Sequence, residues 1–143
     1  MYIFDGAMGT MLQAAGLEEG YCPELFNIER PEVVKNIHAE YLQHGSDVIT
    51  TNTFGACGLK LEDYDLQDRV REINIAAVNV AKDAIAEFKP SARVAGSMGP
   101  TGRFLQPLGN MSFDSIYDTY REQAEALIEG GVDFIIIETI IDV

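Results

Sequence analysis

Asp5, Asn52, Thr53, Ser97 and Glu138 share a pattern: each polar side chain stands near the end of a short apolar run. Asp5 closes YIFDG and opens onto Gly6-Ala7-Met8-Gly9, Asn52 and Thr53 close DVITTNTF, Ser97 lies in RVAGSMG, and Glu138 follows an Ile triplet with Asp142 just beyond. A carboxylate carried into an apolar layer must be paired or hydrogen-bonded, which marks Glu138 as a ligand-binding group. Asp5 either fixes the turn at Gly6 or presents its carboxylate to a ligand. Asn52 either satisfies buried backbone or binds. Glycine after the runs (Gly6, Gly55, Gly99) lets backbone N–H groups approach an anion with no side chain in the way. Together these groups suit a small zwitterion: carboxylates for its ammonium, bare backbone for its carboxylate.

The elements that would gather these residues are legible. YIFDG at 2–6, DVITTNTF at 47–54, RVAGSMG at 93–99 and DFIIIET at 133–139 are apolar on both faces, as buried parallel strands are. Helices fit between them. One starts at Pro31 and stops at Gly45, with Val34, Ile37 and Tyr41 inward. A second, 68–90, carries the stripe Val70, Ile73, Ala77, Val80, Ala84 and Phe88 and ends before Pro90. A third begins after Ser112 as N-cap, turns Phe113, Ile116, Tyr120, Ala124 and Leu127 inward, and ends at Gly130-Gly131.

Such alternation implies right-handed crossovers and a parallel sheet. GSDVITTNTF (45–54) and GVDFIIIETI (131–140) also repeat one another, each entering a strand through Gly-x-Asp. Strand starts about 40–45 residues apart suit a (β/α)8 barrel, of which residues 1–143 would supply the first four strands, a half barrel. The alternative is an open doubly wound sheet, but no strand is followed by the Gly-x-Gly-x-x-Gly nucleotide turn; GAMGTM has only two glycines, three apart. In either architecture the strand C-termini share one edge, and ligands bind there.

A net charge of −13 argues against nucleic acid or an anionic membrane as partner, because both reward clustered Lys and Arg. FIIIETII is too short to span a bilayer. No basic region opens the chain as in a signal peptide, so a cytoplasmic location is expected. Cys22 and Cys57 are isolated, with no Cys-x-x-Cys spacing and no His pair nearby; they read as free thiols in a reducing compartment, not as metal ligands. His38 and His44 fall on a helix outside the sheet, where packing or solvent, not catalysis, accounts for them. The methionines read as flexible packing.

DGAMGTMLQAAGL, NIHAEYLQHGSDVITTNTFGA, GSMGPTG and GGVDFIIIETIIDV resemble the homocysteine-binding (homocysteine S-methyltransferase) domain, most closely the one that opens cobalamin-dependent methionine synthases. The resemblance runs in order through essentially the whole chain and implies a (β/α)8 barrel. It makes residues 1–143 the N-terminal half of that barrel domain. It implies methyl transfer to the thiol of homocysteine, forming methionine, with zinc holding the thiol as the competent thiolate. Asp5, Gly6, Ala7, Met8, Asn52 and Thr53 resemble the pocket floor, Gly99-Pro100-Thr101 the loop after the third strand, and Glu138 the group that holds the α-amino nitrogen. The family's three zinc cysteines belong to the second half of the barrel and have no counterpart here. Zinc is therefore expected only in the complete domain, and methylcobalamin on another domain or partner.

Two alternatives remain at this point: a standalone homocysteine methyltransferase using a sulfonium or betaine donor, and a non-catalytic piece that pairs through its sheet edges. The partners implied are homocysteine, a cobalamin-carrying domain, and the remainder of the barrel or another copy at those edges.

Overall fold

Three parallel strands, β1 (Val48–Thr50), β2 (Arg93–Met98) and β3 (Phe134–Ile137), form one sheet in the order β1-β2-β3. The computed structural model describes residues 1–140. Helices α1 (Gly9–Ala14), α2 (Phe26–Glu29), α3 (Pro31–Gln43), α4 (Gly58–Leu61), α5 (Val70–Phe88) and α6 (Phe113–Gly130) alternate with the strands, joined by short 3-10 turns. The alternation read from the sequence is therefore present, with α3, α5 and α6 at the expected places.

Local chemistry explains the helix limits. Pro31 opens α3, where its missing N–H costs nothing. Ser112 caps α6 by accepting the Ser115 N–H at 3.2 Å. The stripe of α5 is buried from Val70 to Ala84, while Phe88 at its end is half exposed. On α6 the expected inward face holds at Leu127, with Tyr120 and Ala124 packed beside it, but Phe113 is 69% exposed and Gln123 and Ala126 are buried as well. Gln123 shares the face of Ile116, Tyr120 and Leu127, and its burial is supported by Nε2 donating to the Thr53 carbonyl at 2.8 Å. Leu42, Ile49, Ala81, Ala84 and Val94 form the core between sheet, α3 and α5. Val78, Met98 and Leu127 form the core under α6.

The first expected strand is not a strand. Residues 2–6 contribute a single parallel bridge, Phe4 to Val48, so four strands are expected and three are formed. The reason lies in Asp5. Its backbone N–H reaches the Val48 carbonyl at 3.0 Å, but the next donor along β1, the Thr50 N–H, goes to Asp5 Oδ2 at 2.7 Å. A side chain has taken the donor that the next backbone rung would use, and the ladder stops. The same device shortens β1 itself, where the Thr51 hydroxyl accepts the Ser97 N–H at 3.1 Å.

The internal repeat is physical as well as textual. Asp47 donates its N–H to the Ile3 carbonyl at 2.7 Å and accepts the Ile3 N–H on Oδ2 at 3.1 Å. Asp133 does the same to Val94, at 2.9 and 2.8 Å. Each aspartate also meets a cation, Lys89 for Asp47 and Arg93 for Asp133. Gly-x-Asp is thus a clamp that joins each entering strand to its neighbour.

His38 lies on α3, fully buried, and neither ring nitrogen has a hydrogen-bond partner. Burial lowers its pKa to about 4, so the folded state holds the neutral ring and the unfolded chain takes up the proton first. Stability is free of this cost above the unfolded value near 6.5 and declines as pH falls toward 4. His38→Leu should remove about 3 kcal/mol of the loss between pH 7 and 4. Urea unfolding of both proteins at several pH values reads the difference; parallel pH profiles would show that the ring is not held neutral.

Candidate active site

The ladders all end on one side of the sheet, and there the chain leaves a cleft of about 500 Å³. Asp5, Glu24, Asn52, Ser97 and Glu138 contribute polar atoms to it, and Gly6 to Gly9 form one wall. The ends of β2 and β3 position Ser97 and Glu138, and the segment bridged to β1 at Phe4 positions Asp5. The loop after β1 positions Asn52, and a 3-10 turn (Pro23–Leu25) positions Glu24.

Asp5 accepts two hydrogen bonds from Thr50, from its N–H on Oδ2 and from its hydroxyl on Oδ1, both at 2.7 Å. Burial holds the Asp5 carboxyl above its ordinary value; the Thr50 hydrogen bonds pull it down, and the Glu138 charge adds a small upward push. It therefore both fixes the turn and faces the cleft. The wall that follows is set by Tyr41, whose hydroxyl donates to the Ala7 carbonyl at 3.0 Å. A Cβ on Gly6 would lie 2.9 Å from that same hydroxyl, so glycine is required for the approach.

Asn52 is nearly buried and donates from Nδ2 to the Pro23 carbonyl at 2.8 Å, which leaves its Oδ1 as the amide atom to offer a ligand. Thr53 sits differently. It is fully buried, donates its hydroxyl to the Ser97 carbonyl at 2.7 Å, and does not line the cleft. Glu138 is half-buried and accepts the Ser97 hydroxyl on Oε1 at 2.5 Å, while its N–H closes the last rung to the Met98 carbonyl at 3.1 Å. Thr139, next to it, has φ 58°, a costly conformation for a β-branched residue and one found at ligand sites. Asp142 lies outside the described residues.

Sequence reasoning missed Glu24. It is 5% exposed, lines the cleft, and accepts the Gly55 N–H on Oε1 at 2.7 Å. The signal that marked Glu138, a carboxylate among apolar residues, was present at Glu24 in Cys22-Pro23-Glu24-Leu25-Phe26 too. Asp5, Glu24 and Glu138 all face one cleft that no Lys, Arg or His lines, and among the described residues none of the three is ion-paired. Such a site favours a cationic group and repels an anionic one. A ligand carboxylate must then be met by backbone N–H groups, and the Gly6–Gly9 wall is the bare stretch able to supply them.

Zinc does not fit these residues. Among the described residues no three His, Cys, Asp or Glu side chains are grouped to hold a metal. Burial, followed by the Glu24 charge, pushes the Cys22 thiol up to about 12, and burial likewise raises Cys57. Neither thiol belongs to a group of three such side chains, as a closed metal site requires. His38 and His44 are not in the cleft; His44 sits at the end of α3 with Nδ1 2.7 Å from the Glu40 carbonyl.

The family model for homocysteine S-methyltransferase matches residues 2–143. The chain belongs to the homocysteine S-methyltransferase family. It is 41% identical to the methionine synthase of Mycobacterium tuberculosis and 38% identical to that of Mycobacterium leprae, each over 94% of this chain. It spans only 12% of either protein. Among solved structures it is similar to the homocysteine methyltransferase MmuM of Escherichia coli. The metallated form matches with a TM-score of 0.80 and 26% identity over 97% of this chain and 54% of that one. The oxidised form matches with a TM-score of 0.77 and 25% identity over 94% and 51%. No helix among the described residues is long and apolar enough to cross a membrane.

Two results should follow from the thiols. The chain, dialysed against a weak chelator, should carry no stoichiometric zinc by elemental analysis. Cys22 and Cys57 should stay unalkylated by iodoacetamide at pH 8 until urea is added. One tightly held zinc lost on Cys22→Ala, or rapid native alkylation, would show that these thiols ionise in the fold.

Proposed function

We propose that the chain holds the amino-acid end of homocysteine during methyl transfer to its thiol, as the homocysteine-binding part of a methionine-synthase-like protein. The observation that carries this is the cleft of three carboxylates beside a bare backbone wall, in a chain of this family. Glu138, oriented by the Ser97 hydroxyl, takes the α-ammonium. Asp5 keeps the turn that presents the Gly6, Ala7 and Met8 amides to the α-carboxylate. Asn52 offers Oδ1, and Thr53 acts from beneath by fixing the loop to Ser97.

The thiol end is not served by these residues. Three carboxylates disfavour a thiolate nearby, so this chain orients the nucleophile and does not ionise it. We place the zinc ligands outside residues 1–143, in keeping with a metallated relative of which this chain covers 54%. Methylcobalamin is assigned to another domain or partner, in keeping with the 12% coverage of the methionine synthases.

The three-stranded sheet is then a portion of a (β/α)8 barrel, with residues 1–143 as its N-terminal half. The edges at residues 2–5 and β3 would pair with the remainder of the barrel, or with a second copy in its absence. Exposure of Ile3, Phe4 and Ile137 on those segments supports this. A cytoplasmic location accords with the protonated free thiols. A sulfonium or betaine donor remains the alternative to a cobalamin one, and the anionic cleft would tolerate such a cation.

In the complete domain, Glu138→Gln should weaken homocysteine binding by about 1–3 kcal/mol, the cost of a charge-assisted hydrogen bond removed from a partly desolvated site. Zinc content should be unchanged. Calorimetry with L-homocysteine tests this, and equal affinity in the two proteins would remove Glu138 from ammonium recognition.

A further inference from the structure

We propose that Glu24 is a positioning residue for this pocket, holding the Asn52–Gly55 loop in place through the Gly55 N–H. The proposal rests on the homocysteine-pocket assignment above. Glu24 belongs to a turn that Leu25 anchors against the core of Ala56, Leu61, Val70 and Ile73. Its Oε1 accepts the Gly55 N–H at 2.7 Å, and its Oε2 accepts the Cys22 thiol at 3.3 Å. A buried carboxylate with one amide, one weak thiol donor and no cation is expensive to keep. What it holds is specific.

The turn and the helix α2 that follows it each grip the loop once more. Asn52 donates Nδ2 to the Pro23 carbonyl, and Asn27 donates Nδ2 to the Asn52 carbonyl, both at 2.8 Å. Residues 23–27 therefore hold both ends of the loop that carries Asn52 and Phe54 into the cleft. Contact at Gly55 is tight: a Cβ there would lie 2.8 Å from Glu24 Oε1. Through this contact and the two amide bonds, the segment that carries Glu24 bears on the position of the loop, and so on where Asn52 Oδ1 meets a ligand.

Glu24→Gln keeps an acceptor oxygen of the same reach, and Glu24→Ala removes it. Titration with L-homocysteine should show Glu24→Gln within about threefold of the parent protein. Glu24→Ala should bind roughly tenfold or more weakly, the scale of one lost hydrogen bond to a charged group. Amide exchange at Gly55 should be fast in Glu24→Ala and slow in Glu24→Gln, with the Asn52 side-chain amide resonances displaced only in the former. Gly55→Ala, which pushes the same contact from the other side, should reproduce the Ala variant and serves if Glu24→Ala does not fold.

Equal affinity of parent and Glu24→Ala would overturn the proposal. So would equal loss in Glu24→Gln and Glu24→Ala with Gly55 still protected, since that pattern means a direct charge contact with the ligand. If the parent protein binds no homocysteine, the pocket assignment fails. Gly55 exchange then decides the support role by itself: protection that survives Glu24→Ala overturns it.

Discussion

The constraint on which this structure depends is the way its parallel ladders are stopped. At one side of the sheet, side chains take the donors that the next backbone rung would use. Asp5 accepts the Thr50 N–H, and the Thr51 hydroxyl accepts the Ser97 N–H. Each substitution satisfies a buried amide, so ending the ladder costs little. It also frees the following residues to leave the sheet as loops. The cleft exists because the strands end together there, and the groups that end them, or lie beside those that do, line it.

The opposite side of the sheet is governed by a complementary device. Asp47 and Asp133 each clamp a neighbouring strand by both donor and acceptor, and each is neutralised by a cation across the join. Charge is therefore compensated at the strand starts and left uncompensated at the strand ends. That asymmetry gives the cleft its field. Asp5, Glu24 and Glu138 accept from Thr50, Gly55 and Ser97, and no cationic side chain lines the cleft beside them. Such a field favours a cationic group, an ammonium among them, over an anionic one.

Much was legible in the sequence, for a physical reason. Parallel strands buried on both faces must be apolar throughout, so DVITTNTF, RVAGSMG and DFIIIET announce themselves. Helices between them must show a stripe, as α5 does. Glu138 could be singled out because a carboxylate after three isoleucines requires a partner, and Ser97 is one. The Gly-x-Asp repeat was visible as letters, and its meaning as a strand clamp follows from where those letters recur.

Tertiary structure decided the rest, because it depends on which groups meet across 25 to 70 positions of chain. YIFDG reads as a strand, but the Asp5 carboxylate outcompetes the backbone for Thr50 and leaves one bridge. Phe113 reads as part of the inward face of α6, but it is 69% exposed. Thr53 reads as a pocket residue, but its hydroxyl is drawn to Ser97. Glu24 stands among apolar residues in the sequence, and the fold brings it to the cleft against the Gly55 N–H. Apolar pattern and turn chemistry act along the chain and can be read there. Competition among polar groups for the same donor is settled in space, and in this protein that competition shapes the cleft.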